Sequence, residues 1–160
     1  MTRKQILSDI FKIVGWKPFI DLCCSVTGGN ACAPLYYDAM SDALKQAKSI
    51  AGMDVIVNPV FDLCLEYFNL LIEAYNLDHN TRAIFVVPVR KKDAYFKLLS
   101  RDPRFDMVAL YSIGAPIFTR ANAKNPLEEK KRDAVKGSIE VISIWEMNRR
   151  GKSYANVRVD

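Results

Sequence analysis

Two hydrophobic rhythms alternate along the chain. Ile6, Leu7, Ile10, Phe11, Ile13 and Val14 recur at helical spacing, which predicts a helix from Arg3 to Val14 that Gly15 ends. Short apolar runs follow a different pattern. Phe19 to Cys23, Asp54 to Val57, Ala83 to Val87, Phe105 to Tyr111 and Ser138 to Trp145 read as strands, with Leu35 to Tyr37 as a further short one. Helices are predicted between them. One runs from Asp42 to Ile50, with Ser41 as N-cap and a break at Gly52. Another, Phe61 to Tyr75, carries its polar residues Asp62, Glu66, Asn69 and Glu73 in one narrow stripe, which implies burial of its remaining surface. A shorter helix covers Lys92 to Leu99. This alternation predicts one α/β domain over residues 1–147, a mostly parallel sheet with helices on both faces, followed by a polar tail over 148–160. Arg120 to Lys136 is polar and charged, and reads as an exposed loop or short helix.

A chain of 160 residues, half of them apolar, is long enough to bury a full core. The net charge of +5 permits a nucleic-acid partner without requiring one. Cys23, Cys24, Cys32 and Cys64 form no CxxC pair, and His79 is the only histidine, so the spacing argues against a metal site. The thiols read as reduced residues in or near the core of an intracellular protein, in cytoplasm or nucleus. One histidine in a polar stretch leaves most Ser-His-Asp and Cys-His schemes without a base. No apolar run reaches membrane length, and Met1 to Val14 mixes charges among its apolar residues, unlike a signal peptide.

The segment Asp54-Val55-Ile56-Val57-Asn58-Pro59-Val60-Phe61 holds the candidate chemistry. It places an Asn-Pro turn at the carboxyl end of a buried strand, where open α/β sheets bind ligands. The Asn58 side chain and the Pro59 carbonyl are acceptors for an exocyclic amine, and Phe61 offers a ring for a flat base. Orienting an amine and taking up its developing charge are the needs of amino-group methylation. The same residues also fit an ordinary turn, with Phe61 as the first core residue of its helix.

Several short motifs share one order: Asp21-Leu22-Cys23-Cys24-Ser25, Asn30-Ala31, Tyr36-Tyr37, Asp42-Ala43-Leu44 and Asn58-Pro59-Val60-Phe61. Phe85-Val86-Val87-Pro88, Ile113-Gly114-Ala115-Pro116-Ile117-Phe118 and Gly137-Ser138 follow downstream. This series, over about residues 11 to 146, resembles the phage Dam-type adenine-N6 methyltransferases and related domains in retroelement polyproteins. The later part is also similar to the cap-adenosine N6 methyltransferases. The resemblance implies a Rossmann-like methyltransferase domain that uses S-adenosylmethionine. It implies Asp21, Cys23, Asn30 and Asp42 at the cofactor, and Asn58, Pro59 and Phe61 at the target adenine. Asp21 also fits a turn residue, and Asp42 the first-turn acid of a helix.

Val60 stands where that family has a second proline, and Ala115 where it has an arginine. Both acceptor carbonyls survive the first change, but the backbone loses proline's fixed φ. These departures leave a second expectation open: a catalytically inactive methyltransferase-like domain that binds nucleic acid or a protein. An unrelated small α/β domain is a third. The partner expected is DNA or RNA, with Lys124, Lys130, Lys131 and Arg132 as candidate phosphate contacts, joined by Arg149, Arg150 and Lys152 in the tail; each also fits a solvated surface. No separate recognition domain is visible, so a protein partner is a candidate source of target recognition. Neither a membrane nor a metal is expected.

Overall fold

A computed structural model describes residues 3–24, 30–38, 42–113, 120–121, 129–130 and 140–149. The helices are α1 (Arg3–Val14), α2 (Ala47–Ile50), α3 (Cys64–Leu77) and α4 (Ala94–Arg101). The strands are β1 (Ile20–Cys24), β2 (Leu35–Asp38), β3 (Asp54–Val57), β4 (Arg82–Pro88), β5 (Phe105–Ile113), β6 (Arg120–Ala121), β7 (Glu129–Lys130) and β8 (Glu140–Met147). Six of the strands make one sheet in the order β2-β1-β3-β4-β8-β5.

Pairing is parallel from β2 through β1 and β3 to β4, whereas β8 runs antiparallel to both of its neighbours, β4 and β5. The protein is therefore α/β with a mixed sheet, and the expected mostly parallel sheet is met only in part. The apolar run of β8 marks a strand buried on both faces but carries no sign of its direction.

The alternation of side chains along each strand sorts them into two cores. Val55, Val57, Ala83, Phe85 and Val87 pack with Trp145 and Met147 against residues of α2, α3 and α4. Their neighbours Ile56, Ile84 and Val86 pack with Ile142 and Ile144 against Ile6 and Ile10 of α1. Helices thus cover both faces, which explains why β3 and β4 are continuously apolar. Ile13, expected on the buried face of α1, is exposed. Gly15 ends that helix at φ 81°, its N–H donating to the Phe11 carbonyl over 2.9 Å.

Two predicted helices begin in tighter turns. The Asp42 to Ile50 segment divides into a 3-10 turn, Ala43–Lys45, and the four residues of α2. Ala43, Ala47 and Ile50 remain buried, so the face predicted by spacing is kept while the backbone changes winding. Phe61–Leu63 is likewise a 3-10 turn that leads into α3. Asp62, Glu66, Asn69 and Glu73 are all exposed, as their stripe implied. Within Arg120 to Lys136, β6 and β7 pair antiparallel, in place of the helix or loop expected there. At the start of the tail, the Asn148 amide donates to the His79 and Thr81 carbonyls.

The amino ends of β3 and β4 are closed by a polar seam. The Arg82 guanidinium pairs with Asp54 and lies 4.2 Å from the Trp16 ring centre. The Trp16 indole donates to Glu146 on β8 over 2.8 Å. This end of the sheet is thus taken up by structure, and the opposite end carries the candidate site.

Candidate functional site at the carboxyl ends of β1 and β3

From β1 the chain first goes to β2 on one side, then crosses to β3 on the other and continues outward to β4. The connections leaving β1's two sides therefore diverge, and a crevice forms outside the carboxyl ends of β1 and β3. The pairing Ile20↔Val55 and Asp21↔Ile56 sets these ends side by side. Asp21 to Cys24 closes one strand and Asn58 follows the other.

Asp21 is buried, at 4% exposure. Its two carboxylate oxygens accept the backbone N–H groups of Cys23 at 3.0 Å and Cys32 at 2.9 Å. It ties the returning loop to the end of β1. The Cys24 thiol donates to the Asn30 side-chain oxygen at 3.2 Å, a second tie across the same loop. Asp21 and Asn30 thus shape the crevice wall.

Cys23 lies between the strands. The Tyr67 hydroxyl, from α3, and the Asn58 backbone N–H both donate toward its sulfur. Burial raises the Cys23 thiol well above its usual pKa, and the Asp21 carboxylate adds to this. Burial also raises Tyr67, next to Cys23. Cys64, at the start of α3, is pushed up to about 12 by burial, against the opposing pull of Arg90. These groups are neutral at physiological pH and form a weakly polar floor.

Asn58 is half-buried and Pro59 buried. Among the described residues nothing hydrogen-bonds the Asn58 side chain. Val60 follows with φ −58° and ψ 143°, so its backbone takes the φ that a proline would impose. The loss of turn geometry expected from Val60 does not occur. Phe61 opens the 3-10 turn, and the Arg90 guanidinium lies 5.2 Å from its ring centre. Asp42 stands in the left-handed region at φ 51°, half-exposed and paired with Lys45 at 3.0 Å. Its charge reaches Tyr67, which places it beside the same crevice.

The fold thus brings Asp21, Cys23, Asn30 and Asn58 together, with Pro59 and Phe61 on the turn and Asp42 at the margin. Lys124, Lys131, Arg132, Arg150 and Lys152 lie outside the described residues. The Lys130 backbone pairs with Arg120 in the small β6–β7 ladder, apart from the main sheet. Arg149 pairs with Glu146 at 2.8 Å. Sequence reasoning missed Tyr67 and Arg90. Tyr67 is one of many apolar positions on α3, but Arg90 carried a signal, since it directly follows a strand that ends in proline. Among the described residues no group of three His, Cys, Asp or Glu is placed to hold a metal ion, and no helix is long and apolar enough to cross a membrane. All four cysteines are free thiols. Compared with protein-family models, curated proteins and solved structures, the chain matches none.

Proposed function

We propose that this protein is a Rossmann-like methyltransferase that transfers a methyl group from S-adenosylmethionine to the N6 amine of adenine in a nucleic acid. One observation carries the reading. The half-buried Asn58 amide stands at the mouth of the β1/β3 crevice, unbonded among the described residues, one turn before an aromatic ring. A polar side chain in such a place is matched by a ligand with donors of its own.

S-adenosylmethionine supplies an electrophilic methyl group when bound. Asp42, with an exposed carboxylate at the margin, fits the hydroxyls of an adenosine moiety. Asp21 fits a different task from direct contact, because both its oxygens already hold backbone; it fixes the loop carrying Asn30 and Cys32. The Asn58 oxygen accepts one hydrogen of the adenine amine, and the Pro59 carbonyl the other. Both contacts strengthen as the nitrogen becomes positive, which is the condition for accelerating the step. The nitrogen forms its bond to the methyl carbon, the carbon–sulfur bond breaks with its electron pair staying on sulfur, and the surplus amine proton leaves to water.

The test combines binding and turnover. S-adenosylmethionine should raise the thermal midpoint, since a ligand selective for the native state stabilises it. Radiolabelled methyl transfer should mark adenine in DNA or RNA, and Asn58→Ala should lower the rate about a hundred-fold. Equal labelling by Asn58→Ala overturns the site assignment. A folded wild type that shows no midpoint shift and no labelling overturns the enzyme reading in favour of a silent fold.

A further inference from the structure

We propose that the turn Arg90-Lys91-Lys92, at the carboxyl end of β4, is the phosphate-binding rim of the site and holds the backbone of a nucleic-acid strand whose base reaches Phe61. The proposal rests on the reading of the Asn58–Phe61 turn as a base-binding element.

The turn follows Pro88, the last residue of β4, which neighbours β3 in the sheet. It therefore lies at the same end of the sheet as Asn58 and Phe61. Three hydrogen bonds fix its shape. The Val89 N–H donates to the Val141 carbonyl at 2.9 Å, and the Asp93 N–H donates to the Arg90 carbonyl at 2.9 Å. The Tyr95 hydroxyl donates to the Pro88 carbonyl at 2.7 Å. The second of these bonds closes a four-residue turn with Lys91 and Lys92 at its tip, both exposed. Three consecutive cations are thus held on a rigid support.

Arg90 links the cations to the aromatic ring. Its guanidinium lies 5.2 Å from the Phe61 ring centre, within cation–π range. Its pairing with Glu140, at 4.0 Å and with 45% of its side chain exposed, is loose enough to be exchanged for a phosphate. Asp93 and Asp62 are the nearby acids, and both are exposed. Cations beside a ring are the arrangement by which proteins bind single-stranded nucleic acid: the charges follow the backbone and the ring stacks a base. The phosphate backbone is common to DNA and RNA.

Fluorescence anisotropy with a short labelled oligodeoxyadenylate and its ribo counterpart tests the proposal, with no cofactor present, and separates the two kinds of strand. Each phosphate contact to a single strand contributes about 0.7 to the slope of log K against log salt. Arg90→Ala/Lys91→Ala/Lys92→Ala should therefore lower the slope by about two and weaken low-salt binding about ten-fold or more. Lys91→Ala/Lys92→Ala, which leaves the Phe61 contact intact, should remove about two-thirds of that slope. A charge-matched control, Lys4→Ala/Lys12→Ala/Lys17→Ala, removes exposed cations on and just after α1 and should leave the slope nearly unchanged. Absent binding by the wild type, an unchanged slope in the triple variant, or an equal loss in the control overturns the proposal. A cofactor that fails to bind, with these slopes as expected, ends the methyltransferase reading and leaves this surface standing.

Discussion

Cys23 and Cys64 illustrate how position sets the chemistry of a side chain. Both thiols line the floor of the crevice, and burial holds their protons on. Because the thiolate is the reactive form, alkylation by iodoacetamide at mildly alkaline pH should be much slower at both residues in the native protein than after unfolding, as read by mass spectrometry. The linked stability has a definite sign. A thiol whose folded pKa is raised contributes fully below its unfolded value, and the contribution is lost as pH rises through the folded one. For Cys64 that window runs from the ordinary thiol range up to about 12, so Cys64→Ala should flatten the alkaline loss of stability. Asp102 has the opposite sign. Its hydrogen bonds from the Arg104 side chain lower its pKa, so its contribution is present above the unfolded value and fades as pH falls through the folded one.

Single residues also show where a sequence speaks and where it is silent. Asn58 and Pro59 were legible because an Asn-Pro pair after a four-residue apolar run can hardly be other than a strand end. Tyr67 was not, since α3 buries most of its surface and one aromatic among many carries no label. Gly52 read only as a break. Its Cβ, if present, would stand 2.5 Å from an Asp78 oxygen, and its φ of +80° is one that side chains rarely adopt. Its N–H also donates to the Thr81 hydroxyl at 2.7 Å. Gly52→Ala should therefore cost about 2 kcal/mol or more in chemical denaturation, combining strain and displacement of Asp78.

At the scale of elements, periodicity located every strand of the main sheet to within about two residues, because a buried strand must be apolar along its length. It was weaker on winding. The Asp42 and Phe61 segments each start as 3-10 turns, and spacing cannot separate this from α-helix when the same residues are buried. The turn joining β3 to α3 gives a sharper case. Val60 keeps φ −58° without a proline ring, so the native conformation already suits one. Val60→Pro should raise stability by roughly 0.4–1 kcal/mol, chiefly through fewer unfolded conformations. In the methyltransferase reading it should also leave activity equal or higher. A fall in the thermal midpoint shows instead that the Val60 N–H is needed.

Across the whole molecule, what the sequence withheld was direction. Nothing in the composition of β8 says that it opposes its neighbours, or that it enters between β4 and β5 and not at an edge. That follows from the route of the chain after β5, which only the assembled sheet reveals. The site was legible despite this, because it depends on β1, β3 and β4, whose parallel order is what a βα alternation encodes.

The placement of β8 has a consequence for how the protein is made. Its residues are among the last to leave the ribosome, yet they form the inner strand that joins β4 to β5. Until they emerge, the nascent chain has β4 as an open edge, with the apolar surfaces of Phe85 and Val86 short of their partners Trp145 and Ile144. β5 has no place in the sheet to dock. Biogenesis should therefore be late and abrupt, with the first strands and α3 poised but the molecule unfinished until its final strand arrives. A chain stopped before Glu140 exposes a strand edge open to intermolecular pairing, and should require chaperones or aggregate, whereas the same segment supplied as a separate peptide should add to that edge and restore solubility.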